Sequence, residues 1–175
     1  MMRQSVPSFF EMLDSAKSTA VHLELRDQYS VAEEASELAK WHRGEAVDVD
    51  PDSEYWSGWS DLVRRTVARG VQVRRARVVS VPVTDYIRYE HHITSVNLAI
   101  GEQVRWLPRS EASGIALPGN DFWLVDGRAV RFNLFDGSGA ALDPQYSEDP
   151  AVVELCISAF EAVWERGVEH EKFVV

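Results

Sequence analysis

The chain has 175 residues, a formal net charge of −10 and one cysteine, Cys156. Hydrophobic residues make up 45% and charged residues 26%, ordinary globular usage that excludes disordered, collagen-like and low-complexity classes. A single cysteine excludes a disulfide framework within the chain and a cysteine-based zinc site, and no apolar run is long enough to cross a membrane.

The N-terminus lacks the apolar stretch of a secretory signal, so the expected location is the cytoplasm. The length suits one domain, at most with an appendage. Charge is uneven along it: residues 1–58 carry a net −7, residues 59–131 a net +4 and residues 132–175 a net −7. An acidic chain repels nucleic acid, whose affinity for proteins comes mainly from neutralised phosphates. Direct DNA binding is therefore not expected.

Residues 7–16 hold Phe9, Phe10, Met12 and Leu13, a short amphipathic helix. Residues 19–26 alternate, with Val21, Leu23 and Leu25 on one face and His22, Glu24 and Arg26 on the other, which predicts a half-buried strand. Ser30 followed by Glu33 reads as a capping box opening a helix to about His42. The acidic, proline-containing stretch 44–53 marks a boundary between an N-terminal strand and helix appendage, 1–53, and an α/β domain, 54–175; one continuous domain is the other reading.

A helix is expected from Glu54 to Arg69, ended by Gly70, then a strand over 71–80. Thr84 and Asp85 cap a second helix running to about Ile100, and a strand follows at 102–107. Strand, helix, strand is the pattern of a parallel βαβ unit. Strands 121–125 and 129–135 are joined through Asp126 and Gly127, a hairpin signal, and a short strand is expected near 140–145. Asp149 and Pro150 begin a final helix to about Arg166. The fold class is α/β: a mixed sheet with a parallel βαβ unit and flanking helices.

The densest charge feature is the arginine group Arg64, Arg65, Arg69, Arg74, Arg75, Arg77 and Arg88. It suits a small anionic ligand or an acidic partner; the plain alternative is a solvated face balancing the acidic flanks. The segment Thr84 to His92 crowds polar and aromatic groups into two turns, with Asp85, Arg88 and His92 on one helix face and Tyr86 and Tyr89 near another. Arg77, Asp85, Tyr86, Arg88, Tyr89 and His92 are thus candidate binding residues, against the alternative of a core stripe with helix-stabilising ion pairs. Adjacent His91 and His92 point apart on a helix, so no metal site is expected, and no cofactor motif or phosphate loop occurs. Cys156 sits at an apolar helical position, as a buried structural thiol would.

The runs VVSVPVTDYIRYEHH, GEQVRWLPR, LPGNDFWLVDGRAV and DPAVVELCISAFEAVWERGVE resemble a family of small actinobacterial proteins of unassigned function. Its members are often encoded beside helix-turn-helix regulators. The resemblance runs from about Phe9 onward and implies a regulatory protein acting with such a regulator by protein–protein contact, not an enzyme. A homodimer is a further partner expectation, which the resemblance does not itself imply. Residues 70–167 are also similar to half of a phospholipase-D-like domain. Active members of that superfamily carry histidine-x-lysine-x4-aspartate entering the hairpin: histidine attacks phosphorus, lysine holds phosphate oxygens, and two halves complete one site. Aligned on Asp126, the lysine slot falls on Asp121 and the histidine slot on Gly119, so phosphodiester chemistry is not expected. Asp121, Trp123 and Asp126 join the candidate binding residues as remnants of that hairpin. The alternative function is a small-ligand sensor or phosphate-handling enzyme on this degenerate scaffold. The literal His170-Glu-Lys172 near the end of the chain is read as coincidence.

Overall fold

A computed structural model describes residues 6–175. Its centre is one seven-stranded mixed sheet in the order β6-β5-β4-β1-β2-β3-β7, made of β1 (Thr19–Glu24), β2 (Gln72–Val79), β3 (Gln103–Pro108), β4 (Asp121–Val125), β5 (Ala129–Asn133), β6 (Gln145–Ser147) and β7 (Val168–Glu169). Five helices surround it: α1 (Phe9–Ser15), α2 (Ala35–His42), α3 (Ser57–Ala68), α4 (Asp85–Ala99) and α5 (Pro150–Arg166). β1 and β2 pair in parallel, as do β2 and β3, the latter pair joined through α4. The βαβ unit therefore forms as its sequence pattern predicts. The β4–β5 hairpin is also present, with Val125 opposite Ala129; Asp126 and Gly127 both take positive φ, 53° and 58°, as such a turn requires.

Period-two alternation distributes the strands over two faces. One face carries Val21, Leu23, Ala76, Val78, Phe122, Leu124 and Val130, packed against Val153, Cys156, Phe160 and Val163 of α5. Arg74 points to this side and is held by Glu161 of α5. The opposite face has two apolar patches. One lies under α1 and α3, from Leu13 and Leu62 to Val73 and Val125; the other lies under α4, from Ile87 and Tyr89 to Val79 and Trp106.

Four expectations are corrected. β1 is not half-buried: it occupies the middle of the sheet, with Leu23 fully buried and His22 7% exposed. The boundary at 44–53 consequently does not separate two units, because β1 from the N-terminal part pairs with both β2 and β4. The Ser30 capping box does not form. Ser30 instead bridges to Ala140 and donates its hydroxyl to the Ser138 carbonyl at 3.0 Å, while α2 starts at Ala35 after a 3-10 turn without a side-chain cap. The strand placed near 140–145 starts only at Gln145, and residues 140 and 141 make isolated bridges. β7, a two-residue edge strand beside β3, carries too short a pattern to read from sequence.

Candidate functional site

Between the two apolar patches the sheet face turns polar. In four neighbouring strands alternate residues point the same way: His22 and Glu24 from β1, Arg75 and Arg77 from β2, Asp121 and Trp123 from β4, Arg131 and Asn133 from β5. The register puts His22 beside Arg75 and Trp123, Glu24 beside Arg77, Trp123 beside Arg131 and Asp121 beside Asn133. These residues floor a cavity of about 580 Å³, within the size range of small-molecule sites. One wall is a stripe along α4, Tyr86, Glu90, Ile93 and Asn97. Phe9, Trp56, Trp59 and Phe135 supply apolar wall, and Glu33, Glu34 and Leu142 stand toward the rim.

The floor is an ion-pair network. Arg75 donates through Nε to Glu102 at 2.7 Å and through a terminal nitrogen to Glu24 at 2.8 Å. The Arg77 guanidinium lies 2.6 Å from the other Glu24 oxygen and 2.5 Å from Glu90. Its Nε is out of line for a hydrogen bond to Glu24, so that contact is electrostatic. Both arginines also stack on aromatic faces, Arg75 over Trp59 and Trp123 and Arg77 over Trp106. Burial pushes the Glu24 carboxyl up, but Arg77 and Arg75 outweigh burial and hold it down at about 2.

Two other carboxyls have no cationic side-chain partner. Glu34 accepts from the Tyr86 hydroxyl at 2.8 Å. Burial and the neighbouring Glu90 raise it to about 7. Asp121 accepts from the Tyr29 hydroxyl and from the Leu25 N–H, and burial raises it to about 6. His22 is stacked on Trp123 with ring centroids 4.4 Å apart. Neither of its nitrogens has a hydrogen-bond partner, and burial lowers it to about 3, so the ring is neutral at physiological pH. Arg131 pairs with the Asn133 amide oxygen at 2.5 Å and leaves its Nε unpartnered.

Of the residues singled out from sequence, Arg77, Tyr86, Asp121 and Trp123 line the cavity. Arg77 is 5% exposed, so it does not share a surface with Asp85, Arg88 and His92. Those three are exposed on the outer side of α4, where Asp85 lies 3.4 Å from His42 and His92 packs near Trp41. Tyr89 is fully buried against Trp41. Asp126 is taken up locally, accepting from the backbone of Lys17, Ser18 and Thr19 and from the Ser18 hydroxyl.

The arginine group is not a free anion site. Arg64 pairs with Asp52 and Arg65 with Asp14, Arg74 with Glu161, and Arg75 and Arg77 with the glutamates above. His22, Glu24, Glu34, Arg75, Glu90 and Arg131 were not selected from sequence as cavity residues. For His22, Glu24, Arg75 and Arg131 the signal was the repeated polar-x-polar spacing in β1, β2 and β5, visible only if the strands are set side by side; Glu34, in the 3-10 turn before α2, and Glu90, on α4, carried no such signal. Among the described residues no three His, Cys, Asp or Glu side chains are gathered to hold a metal ion, and no helix is long and apolar enough to cross a membrane.

The architecture is that of the phospholipase D fold. The structure matches a phospholipase D family member, Nuc from Salmonella typhimurium, with a TM-score of 0.53 and 11% identity over 91% of this chain and 86% of that one. A weaker match, TM-score 0.45 and 16% identity, is to TrmBL2, an archaeal chromatin protein; it covers 91% of this chain and 48% of that one. No curated protein matches the sequence. The family model for a domain of unknown function, DUF6879, spans residues 7–175, and the chain belongs to that family.

Proposed function

We propose that the protein is a non-hydrolytic small-ligand sensor whose bound state is read by a helix-turn-helix transcription regulator in the cytoplasm of an actinobacterial cell. The observation that carries the ligand-binding part is the polar cavity floor. Burying a cluster of ionised groups on one sheet face is costly, an apolar layer would pack the sheet at less cost, and both His22 nitrogens stand without partners in a cavity of ligand size. Against phosphodiester chemistry stand Gly119 and Asp121 in the slots of the nucleophile and the phosphate-binding lysine. Gly119 is exposed and outside the cavity lining, and the Asp121 carboxylate repels phosphate.

The regulatory part rests on α4. Its inner stripe, Tyr86, Glu90, Ile93 and Asn97, touches the cavity, and its outer side carries exposed Asp85, Arg88 and His92. One helix therefore contacts both a ligand and a surface for a protein partner.

The test is native mass spectrometry of the protein incubated with small-molecule extract from its source cells. A stoichiometric adduct is expected, and it should be lost in Asn133→Trp, which places an indole at the floor. No adduct, or turnover of a generic phosphodiester by the purified protein, overturns the reading.

A further inference from the structure

The charge left over in the cavity says which class of ligand it takes. We propose that it binds a small organic cation, an amine or amidine on an aromatic body, held by Glu34 and Asp121 and stacked on the tryptophan wall. This rests on the ligand-binding reading above and deepens it.

The argument begins with the arginines. Arg75 is held by Glu24 and Glu102, and Arg77 by Glu24 and Glu90. Each has a carboxylate on two sides, so neither is left to hold an anion. Glu34 and Asp121 have only neutral donors, the Tyr86 and Tyr29 hydroxyls and one backbone N–H. The Tyr86 hydroxyl has one proton, yet it lies within reach of both Glu34, 2.8 Å, and Glu90, 3.2 Å. It can donate to only one of them, so this corner holds more acceptors than donors. An ammonium or amidinium brings several N–H donors and a positive charge to carboxyls short of both.

His22 supplies a second and independent sign. It is nine-tenths buried, lines the cavity and has no hydrogen-bond partner at either nitrogen, the Glu24 carboxylate lying 3.8 Å from Nδ1. A neutral imidazole presents one acceptor nitrogen and one N–H; an N–H of the cation satisfies the first, and a neutral acceptor on the ligand's body the second. The walls agree, because tryptophan faces attract cations and stack aromatic bodies, and Trp59 and Trp123 already serve Arg75 in this way. Arg131 is the cavity arginine without a carboxylate partner. It stands beside Trp123, so a neutral acceptor on the ligand's body can meet the Arg131 guanidinium while the cationic end goes to the carboxyls that lack a cationic side-chain partner.

Isothermal titration calorimetry with tryptamine, benzamidine, indole and indole-3-acetate tests the charge preference in the wild-type protein alone. Tryptamine or benzamidine should bind at least about tenfold more tightly than either indole or indole-3-acetate. Glu34→Gln and Asp121→Asn should each weaken the amine about tenfold or more, and Asp85→Asn on the outer side of α4 should leave it unchanged. Equal or tighter binding of indole-3-acetate overturns the cation, as does heat from none of the amines. An anionic or neutral adduct from the cell extract would do the same while leaving the ligand-binding reading standing; no adduct and no amine binding would end both.

Discussion

Glu24 holds two buried arginines at once, one on each carboxylate oxygen. Removing one partner of a buried pair leaves an uncompensated charge and typically costs about 3–5 kcal/mol. Glu24→Gln should lower the urea unfolding free energy by that order; a loss below about 1 kcal/mol would mean that Glu90 and Glu102 suffice for the arginines. The pH dependence has opposing contributions. The depressed Glu24 gives stability that is present above the usual carboxyl range and lost as pH falls toward about 2. The lowered His22 gives stability that is present above the usual histidine range and lost as pH falls toward about 3. Glu34 has the other sign. Its raised carboxyl is favourable while protonated, and stability drains away as pH rises from about 4.5 to about 7. The charged groups facing it are Glu24, Arg77 and Glu90, with Tyr55 and Tyr86. Glu34→Gln should therefore gain on the wild type as pH rises from 5 to 8, by about 1–2 kcal/mol after solvent screening. Parallel stability curves for the two proteins over that range would show that Glu34 ionises without cost.

Two cap signals at the level of the element illustrate what local sequence does and does not reveal. Thr84 caps α4 as its sequence implies, accepting from the Ile87 N–H at 3.1 Å and donating to the Asp27 carbonyl at 2.8 Å. Ser30 carries an equally good capping pattern, yet a long-range contact takes it: its N–H donates to the Gly139 carbonyl and its hydroxyl to Ser138. Local pattern names a competent cap; tertiary contacts decide whether it is used. Thr84→Ala should lower stability by about 1 kcal/mol, whereas Ser30→Ala should stay within about 0.5 kcal/mol, both read from melting temperatures. α4 was legible in the same limited way. Its boundaries and aromatic stripe followed from spacing, but whether Tyr86 or Arg88 faces inward depends on where the sheet lies. Arg88, exposed and without an ion pair among the described residues, tests the outer face. Arg88→Ala should change stability by only a few tenths of a kcal/mol and weaken capture of the proposed helix-turn-helix partner by about 2 kcal/mol or more. A variant that melts early but binds normally would place this face in the fold's support and not in recognition.

Across the whole molecule, the first strand in chain order sits in the middle of the sheet. The strands of the βαβ unit and the hairpin could be read from alternation and turn chemistry, because those signals are local. The order β4-β1-β2 could not, since nothing in residues 19–24 says which two strands they separate. The cavity was hidden for the same reason: its floor takes two residues from each of four strands, and each pair alone looks like the solvated face of an edge strand. This arrangement makes the N-terminal part indispensable. β1 supplies Val21 and Leu23 to the core beneath α5, Ala20 to the patch beneath α1 and α3, and Glu24 to both floor arginines. Without residues 1–53, β2 and β4 lose the strand between them, leaving two unpaired edges, and Arg75 and Arg77 lose the carboxylate they share. Unpaired edges and unpaired buried charges are each strongly unfavourable. A chain of residues 54–175 should therefore aggregate or show no cooperative unfolding transition by circular dichroism, and adding residues 6–53 as a separate peptide should restore structure only if β1 can insert between β2 and β4. A cooperative melt from 54–175 alone would show that the sheet closes without β1 and that the acidic stretch at 44–53 is a true domain boundary.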